Sequence, residues 1–221
     1  MLNRLNICVM ELSASEMADR LGVSIQRVHA LLRAGELHGR QVSRVWLFDE
    51  AQLLKPRKLG RPMSARIAWA TILGVRDVDW LSQSERSRLC RRLNRLHDAP
   101  NPAQLLATWL AARAEPVNVS SPEPEALHAD PDLVPSGISD PRSGVSGGRG
   151  SELYAQPGTL QQVIRRHLLI EDPAGEVRLR EAPMSLEAPA PLLLLAADLA
   201  DRGGPREMRR AAELIEEWAQ R

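Results

Sequence analysis

Ser13-Ala14-Ser15-Glu16-Met17-Ala18-Asp19-Arg20-Leu21-Gly22-Val23-Ser24-Ile25-Gln26-Arg27-Val28-His29-Ala30-Leu31-Leu32-Arg33-Ala34-Gly35 decides the fold of the front of this chain. Ser13 to Glu16 has the S-x-x-E form of a capping box, and Met17, Ala18 and Leu21 supply an apolar face before Gly22, so a helix is predicted over 14–21. Ser24 can cap a second helix, in which Val28, Leu31 and Leu32 recur at the spacing of one buried stripe and which Gly35 ends. Beyond it, β-favouring Val42, Val45, Trp46 and Phe48 flank Ser43-Arg44 and predict a short hairpin between about Arg40 and Phe48. Asp49 is expected to cap a further short helix carrying Ala51, Leu53 and Leu54.

The order helix, glycine turn, helix and hairpin is that of a winged helix-turn-helix, whose second helix buries one side and offers the other to the major groove. Turning Val28, Leu31 and Leu32 inward leaves Gln26, Ala30 and Arg33 near the centre of the outward face, with Arg27 and His29 on its flanks. Glutamine can bond adenine bidentately and arginine can do so with guanine, so Gln26 and Arg27 in the first turn are the candidate base readers. Ser24 and the helix N-terminus suit a backbone phosphate. Arg40 and Arg44 of the hairpin are placed for phosphates or the minor groove, while Trp46 is expected to pack beneath it. The proline-broken segment that follows supplies Lys55, Arg57, Lys58 and Arg61 as further phosphate contacts. Leu59-Gly60-Arg61-Pro62 is similar to a minor-groove AT-hook core but lacks the arginine before Gly60, and a solvated linker is the alternative.

Composition supports a charged partner for this front part. The 221 residues are 43% hydrophobic, 26% charged and 3% aromatic, which is globular composition with a core built from Leu, Ala and Val. The net charge of +1 conceals an asymmetry: residues 1–98 hold 17 Lys and Arg against 10 Asp and Glu, whereas residues 99–221 hold 12 against 18. A basic front and an acidic back suggest a polyanion-binding module joined to something else, with scatter of charge between domains as the alternative. The longest apolar run, Leu192 to Ala197, is too short for a membrane helix and the N-terminus lacks a signal-peptide layout, so a cytoplasmic protein is expected. Cys8 and Cys90 stand far apart, and neither a disulfide scaffold nor a zinc module is suggested.

The fold class read from the sequence is mainly α with small β elements, an α+β chain. Its expected parts are a winged unit over 1–56, a basic linker over 57–63, a helical region over 64–115, a Pro/Gly/Ser-rich loop segment over 116–151 and an α+β module over 152–221. Helices are predicted over Ser64–Leu73, Ser82–His97 and Pro102–Ala114. The last module is expected to hold a strand near Leu153–Ala155 and a helix capped by Thr159. It continues with a strand pair, Leu168–Ile170 with Val177–Leu179, turning through Asp172-Pro173-Ala174-Gly175, and closes with helices near 190–202 and 205–220.

Other polar signals are read blandly. His29, His38, His97, His128 and His167 show no ligand spacing, and no metal or cofactor is expected. Asp198 and Asp201 on one helix, and Glu213, Glu216 and Glu217 on another, are read as solvated faces. No nucleophile elbow, phosphate loop or dinucleotide fingerprint is present, so the sequence offers no catalytic residues. The five tryptophans are read as packing residues.

The run Leu12 to Ser24, with Val28 to Leu37 and Val45-Trp46-Leu47-Phe48-Asp49, resembles the excisionase/MerR-type winged helix-turn-helix over about residues 11–54. That resemblance implies DNA contacts at Ser24, Gln26, Arg27, Arg40 and Arg44. One departure is the wing tip, where Ser43-Arg44 stands in place of the usual glycines. Leu133 to Arg142, Leu153 to Gly158 and Ala196 to Ala200 are similar to the C-terminal parts of AbiE-type antitoxins, the DNA-binding partners of nucleotidyltransferase toxins. The two resemblances together imply a cytoplasmic repressor that binds its operator, with a homodimer on DNA as one arrangement, and meets a toxin through its back half. The alternatives are an excisionase-like factor that bends DNA for recombination, and a ligand-sensing MerR-like regulator.

Overall fold

The computed structural model describes residues 11–21, 23–33, 37, 39–43, 45–49, 61–75, 78–145 and 150–220. The chain is a mixed α and β structure that divides into two compact units, Met1–Lys55 and Pro56–Arg221.

In the first unit, strand β1 (Glu11–Ser13) runs into helix α1 (Ala14–Leu21), followed by α2 (Ile25–Arg33) and strands β2 (Gly39–Val42) and β3 (Val45–Asp49). The Ser13 cap forms as expected: Glu16 N–H donates to Ser13 Oγ at 3.3 Å and Ser13 N–H donates to the Glu16 carboxylate at 2.8 Å. Those bonds hold the Glu16 carboxyl below its ordinary range, the Ser13 backbone bond contributing most. The three strands are antiparallel in the order β1-β3-β2. Val42 faces Val45 across a two-residue turn, and Ser43 takes the left-handed φ of 53° where a glycine would be usual. Gly39 lies opposite Phe48, where a Cβ would stand 3.0 Å from the phenyl ring and from the Leu47 carbonyl. The core of the unit is Leu12, Met17, Ala18, Val28, Leu31, Leu37 and Phe48, with Trp46 packed against it. The short helix expected after Asp49 lies outside the described residues.

In the second unit, helices α3 (Ala65–Leu73), α4 (Gln83–His97) and α5 (Pro102–Leu110) match the three predicted helices, α5 ending earlier than expected. A five-stranded sheet follows, in the order β5 (Leu133–Pro135), β6 (Ser151–Ala155), β8 (Val177–Glu181), β4 (Val117–Ser120) and β7 (Ile170–Glu171). Helix α6 (Leu160–Arg166) precedes β7, and α7 (Leu192–Arg202) and α8 (Pro205–Ala219) close the chain.

The structure corrects several expectations. The stretch 116–151, read as loop, contributes β4 and β5 and the short 3-10 helices Pro124–Ala129, Gly137–Ser139 and Pro141–Ser143. Of its prolines, Pro124 and Pro141 stand at the first turns of two of these helices and Pro135 at the end of β5, where no ladder bond is lost. The strand pair expected between 168–170 and 177–179 does not form, because β4 inserts between β7 and β8 and pairs antiparallel with both. The Asp172–Gly175 turn itself is present, closed by Gly175 N–H on the Asp172 carbonyl at 2.8 Å. Thr159 occupies the N-cap of α6 without a side-chain capping bond.

The helical region and the last module also share one core instead of forming separate pieces. Trp69, Leu96, Leu106 and Leu110 join Tyr154, Leu193, Leu194 and Leu214 in a single buried cluster. Trp80, by contrast, is exposed. Strand alternation sorts the sheet residues between two layers. Leu133, Leu153, Ala155, Val177 and Leu179 join Val163 of α6 in a second apolar cluster, while Tyr154 belongs to the first. Among the described residues, no helix is long and apolar enough to cross a membrane.

Candidate nucleic-acid interface

Helix α2 is fixed by its inward edge. Val28 is fully buried and Leu31 is 2% exposed, both within the core of the first unit, and Leu32 packs partly against it. The outward edge follows from the helical repeat: Gln26, Arg27 and Arg33 are exposed, while His29 and Ala30 are half-buried. Ser24 caps the helix as expected, accepting the Arg27 N–H on its hydroxyl at 3.3 Å while its carbonyl accepts the same N–H at 2.9 Å. The Ser24 side chain remains exposed at the helix N-terminus, where the helix dipole favours an anion. Arg33 leans back on its own helix, its Nε donating to the His29 carbonyl at 3.4 Å.

The hairpin adds Arg40, exposed on β2 beside exposed Gln41 and Val42. Ser24, Gln26, Arg27, Arg33 and Arg40 are thus exposed on the first unit, and Ala30 is partly covered. Arg61 is exposed at the start of the described part of the second unit. Arg44, Lys55, Arg57 and Lys58 lie outside the described residues.

The second unit contains a different concentration of charge, which sequence reasoning does not anticipate. Asp198, expected on a solvated face, is fully buried. Its Oδ1 accepts from Arg113 at 2.5 Å, from Arg180 at 3.0 Å and from the Tyr154 hydroxyl at 3.1 Å, and Ser136 donates to its Oδ2 at 2.5 Å. Asp201 accepts from the same two arginines at 2.5 and 3.2 Å, and Arg113 Nε donates to Tyr154 at 2.9 Å. Burial raises the cost of ionising Asp198, but Arg113 and Arg180 more than offset it and hold the carboxyl below its ordinary range. Burial, reinforced by the nearby charge of Asp198, pushes the Tyr154 hydroxyl up. Arg180 Nε is buried with no partner among the described residues.

Glu152 borders this cluster and is also buried, its carboxylate accepting the Ile138 N–H at 3.3 Å and facing Arg178 and Arg202 at 3.5 and 3.4 Å. Burial, reinforced by the charge of Asp198, pushes its pKa up to about 7. Gly137 permits the approach: its φ is +53°, and a Cβ there would fall 1.8 Å from a Glu152 oxygen. The signal available in the sequence is a lone aspartate inside the apolar run Leu192–Ala200, with Arg178 and Arg180 alternating with Val177 and Leu179.

The Glu213 and Glu217 carboxylates are exposed and pair with Arg210 at 3.0 and 2.8 Å. An open cleft of about 840 Å³ is lined in part by Ser121, Glu125, His128, Ser151 and Glu176. Within it His128 and the Ser151 hydroxyl stand 3.3 Å apart. Among the described residues, no group of three or more His, Cys, Asp or Glu side chains is arranged to hold a metal ion. Comparisons with protein-family models, curated proteins and solved structures return no match for this chain.

Proposed function

We propose that the chain is a sequence-specific DNA-binding repressor whose first unit is a winged helix-turn-helix. The observation that carries this reading is the two-sided character of α2, with Val28 and Leu31 in the core and Gln26 and Arg27 exposed in its first turn. The capped N-terminus of α2 and the exposed Arg40 of β2 are groups of the kind such a helix needs to meet phosphates and hold its register in the major groove. The repressor is further read as the antitoxin of a toxin-antitoxin pair, with the C-terminal part over 152–221 as the toxin-binding region. That extension rests on the resemblance to AbiE-type antitoxins, and its test is co-purification with the product of the neighbouring gene.

The test of DNA recognition is fluorescence anisotropy with the DNA upstream of the chain's own gene and a scrambled duplex, over a salt series. Arg27→Ala should lower affinity for the upstream DNA by about 1–3 kcal/mol and relax preference at one base position. Arg40→Ala should weaken both duplexes alike and flatten the salt slope by about 1. Equal binding of the two duplexes by the wild-type chain, or an Arg27→Ala variant with unchanged discrimination, overturns the reading.

A further inference from the structure

Helix α4 has the sequence Gln83-Ser84-Glu85-Arg86-Ser87-Arg88-Leu89-Cys90-Arg91-Arg92-Leu93-Asn94-Arg95-Leu96-His97. Leu89, Leu93 and Leu96 are buried in the large core and fix the rotation of the helix. Arg88, Arg91, Arg92 and Arg95 then follow the i, i+3, i+4, i+7 repeat of one face, and all four are exposed. At a rise of ~1.5 Å per residue they form a stripe about 10 Å long.

No ion pair neutralises the stripe among the described residues. The single carboxylate of the helix, Glu85, is bound by Arg66 at 2.6 Å and by the Ser82 N–H at 2.9 Å. Arg66 first, and then the Ser82 bonds, hold it ionised down to about 2. Arg91 reaches only the Ser87 carbonyl, at 3.5 Å. Elsewhere among the described residues of the same unit, eight arginines are ion-paired: Arg66, Arg113, Arg142, Arg166, Arg178, Arg180, Arg202 and Arg210. Like charges three and four residues apart repel along a helix, so the stripe is a local cost that a polyanion would relieve. Its guanidinium forks match phosphate oxygens bidentately, as lysine ammonium groups do not.

We propose that this arginine face of α4 is a second, sequence-independent binding surface for the phosphate backbone of duplex DNA, separate from α2 and needing no base recognition by it. The test uses the full chain carrying Arg88→Gln, Arg91→Gln, Arg92→Gln and Arg95→Gln together. The four positions are exposed, and a circular dichroism melt checks that the fold is retained. A control chain carries Arg206→Gln and Arg209→Gln, two exposed arginines of α8.

Binding to a random 20-base-pair duplex should weaken at least tenfold at low salt in the α4 variant. The slope of log K against log salt should become shallower by about 0.9 for each phosphate that the variant no longer neutralises. The α8 control should keep the wild-type slope. An unchanged slope in the α4 variant, or an equal change in the control, overturns the proposal; the former result directs the stripe to an acidic protein partner instead. The two readings fail separately. Lost sequence discrimination in Arg27→Ala with no effect at α4 refutes the stripe alone, and the reverse pattern refutes base reading by α2 alone.

Discussion

The two units handle charge in opposite ways. Among its described residues the first unit keeps its small core apolar and leaves Gln26, Arg27 and Arg33 exposed. The second unit buries Arg113, Arg180, Glu152 and Asp198 between its sheet and α7, where they are 1–4% exposed or fully covered. Ions cost little at a surface and a great deal in an interior, so the same residue types serve different ends in the two places. Charges left in water remain available to a partner, whereas charges enclosed with their counter-ions fix how the elements around them meet. The α4 stripe is a place where the second unit, like the first, leaves arginines exposed.

The sharpest way to break this contrast is Asp198→Ala. It would remove the buried carboxylate that Arg113 and Arg180 share at 2.5 and 3.0 Å and leave both with only the part-exposed Asp201. Removing one member of a buried ion cluster costs about 3–5 kcal/mol, and urea unfolding followed by the fluorescence of buried Trp69 and Trp109 should show that loss. A loss below about 1 kcal/mol would mean that the cluster does not hold the second unit together.

Legibility in the sequence follows the same division. α1, α2 and the hairpin are readable because their signals are local: the Ser13 and Ser24 caps, the Val28 and Leu31 stripe and the Val42/Val45 turn lie within a few residues of what they specify. The partner of β8 is not readable. Nothing near Val177 announces that Val117–Val119 lies beside it, some sixty residues earlier in the chain. The prolines of 116–151 resemble loop residues because edge strands and 3-10 helices tolerate proline as readily as loops do. Asp198 is deceptive because its spacing from Asp201 fits a wet helix face, and only the packing of α7 under the sheet reveals the arginines that allow it to be buried. At the candidate interface, the exposed positions of α2 are legible from periodicity. The α4 stripe follows the same periodicity, but its significance depends on which arginines elsewhere find carboxylate partners, and only the tertiary structure decides that.

A second, smaller effect sharpens the comparison through pH. Burial raises the Glu152 pKa to about 7, above its ordinary value near 4.5, so the folded second unit binds a proton that the unfolded chain releases. The sign follows directly: this contribution to stability is complete below about pH 4.5 and is lost as pH rises through about 7, amounting to at most about 3 kcal/mol. Asp198 works in the opposite sense, its lowered carboxyl favouring the fold at neutral pH and losing that contribution only in acid. Denaturation midpoints between pH 5 and 8 should therefore fall as pH rises, and Glu152→Gln should flatten the profile. A wild-type profile that rises over this window, or a Glu152→Gln profile as steep as wild type, would refute the assignment. No comparable slope is expected from the first unit, whose one displaced carboxyl among the described residues, Glu16, is exposed and lowered.

The smallest effect compares one local device placed in both units. Ser13 with Glu16, and Ser82 with Glu85, form the same reciprocal capping box. An N-cap serine replaced by alanine costs typically about 1 kcal/mol. The two sites differ in what remains afterwards. In Ser82→Ala, Arg66 still holds the Glu85 carboxylate in place to accept the residue 82 N–H, so one half of the box survives. In Ser13→Ala, the residue 13 N–H still faces the Glu16 carboxylate, but only the attraction of Arg20 helps to place that carboxylate, with no bound arginine like Arg66, so both halves weaken together. Ser13→Ala should therefore lie near 1 kcal/mol and Ser82→Ala nearer 0.5 kcal/mol, each measured from the denaturation of its own unit. If the proposed DNA binding holds, the first loss should also reduce affinity for the upstream DNA, because α1 supplies Met17 and Ala18 to the core on which α2 rests. A larger loss at Ser82 than at Ser13 would show that the wider packing of α4, and not the bond left on Glu85, decides what a cap is worth there.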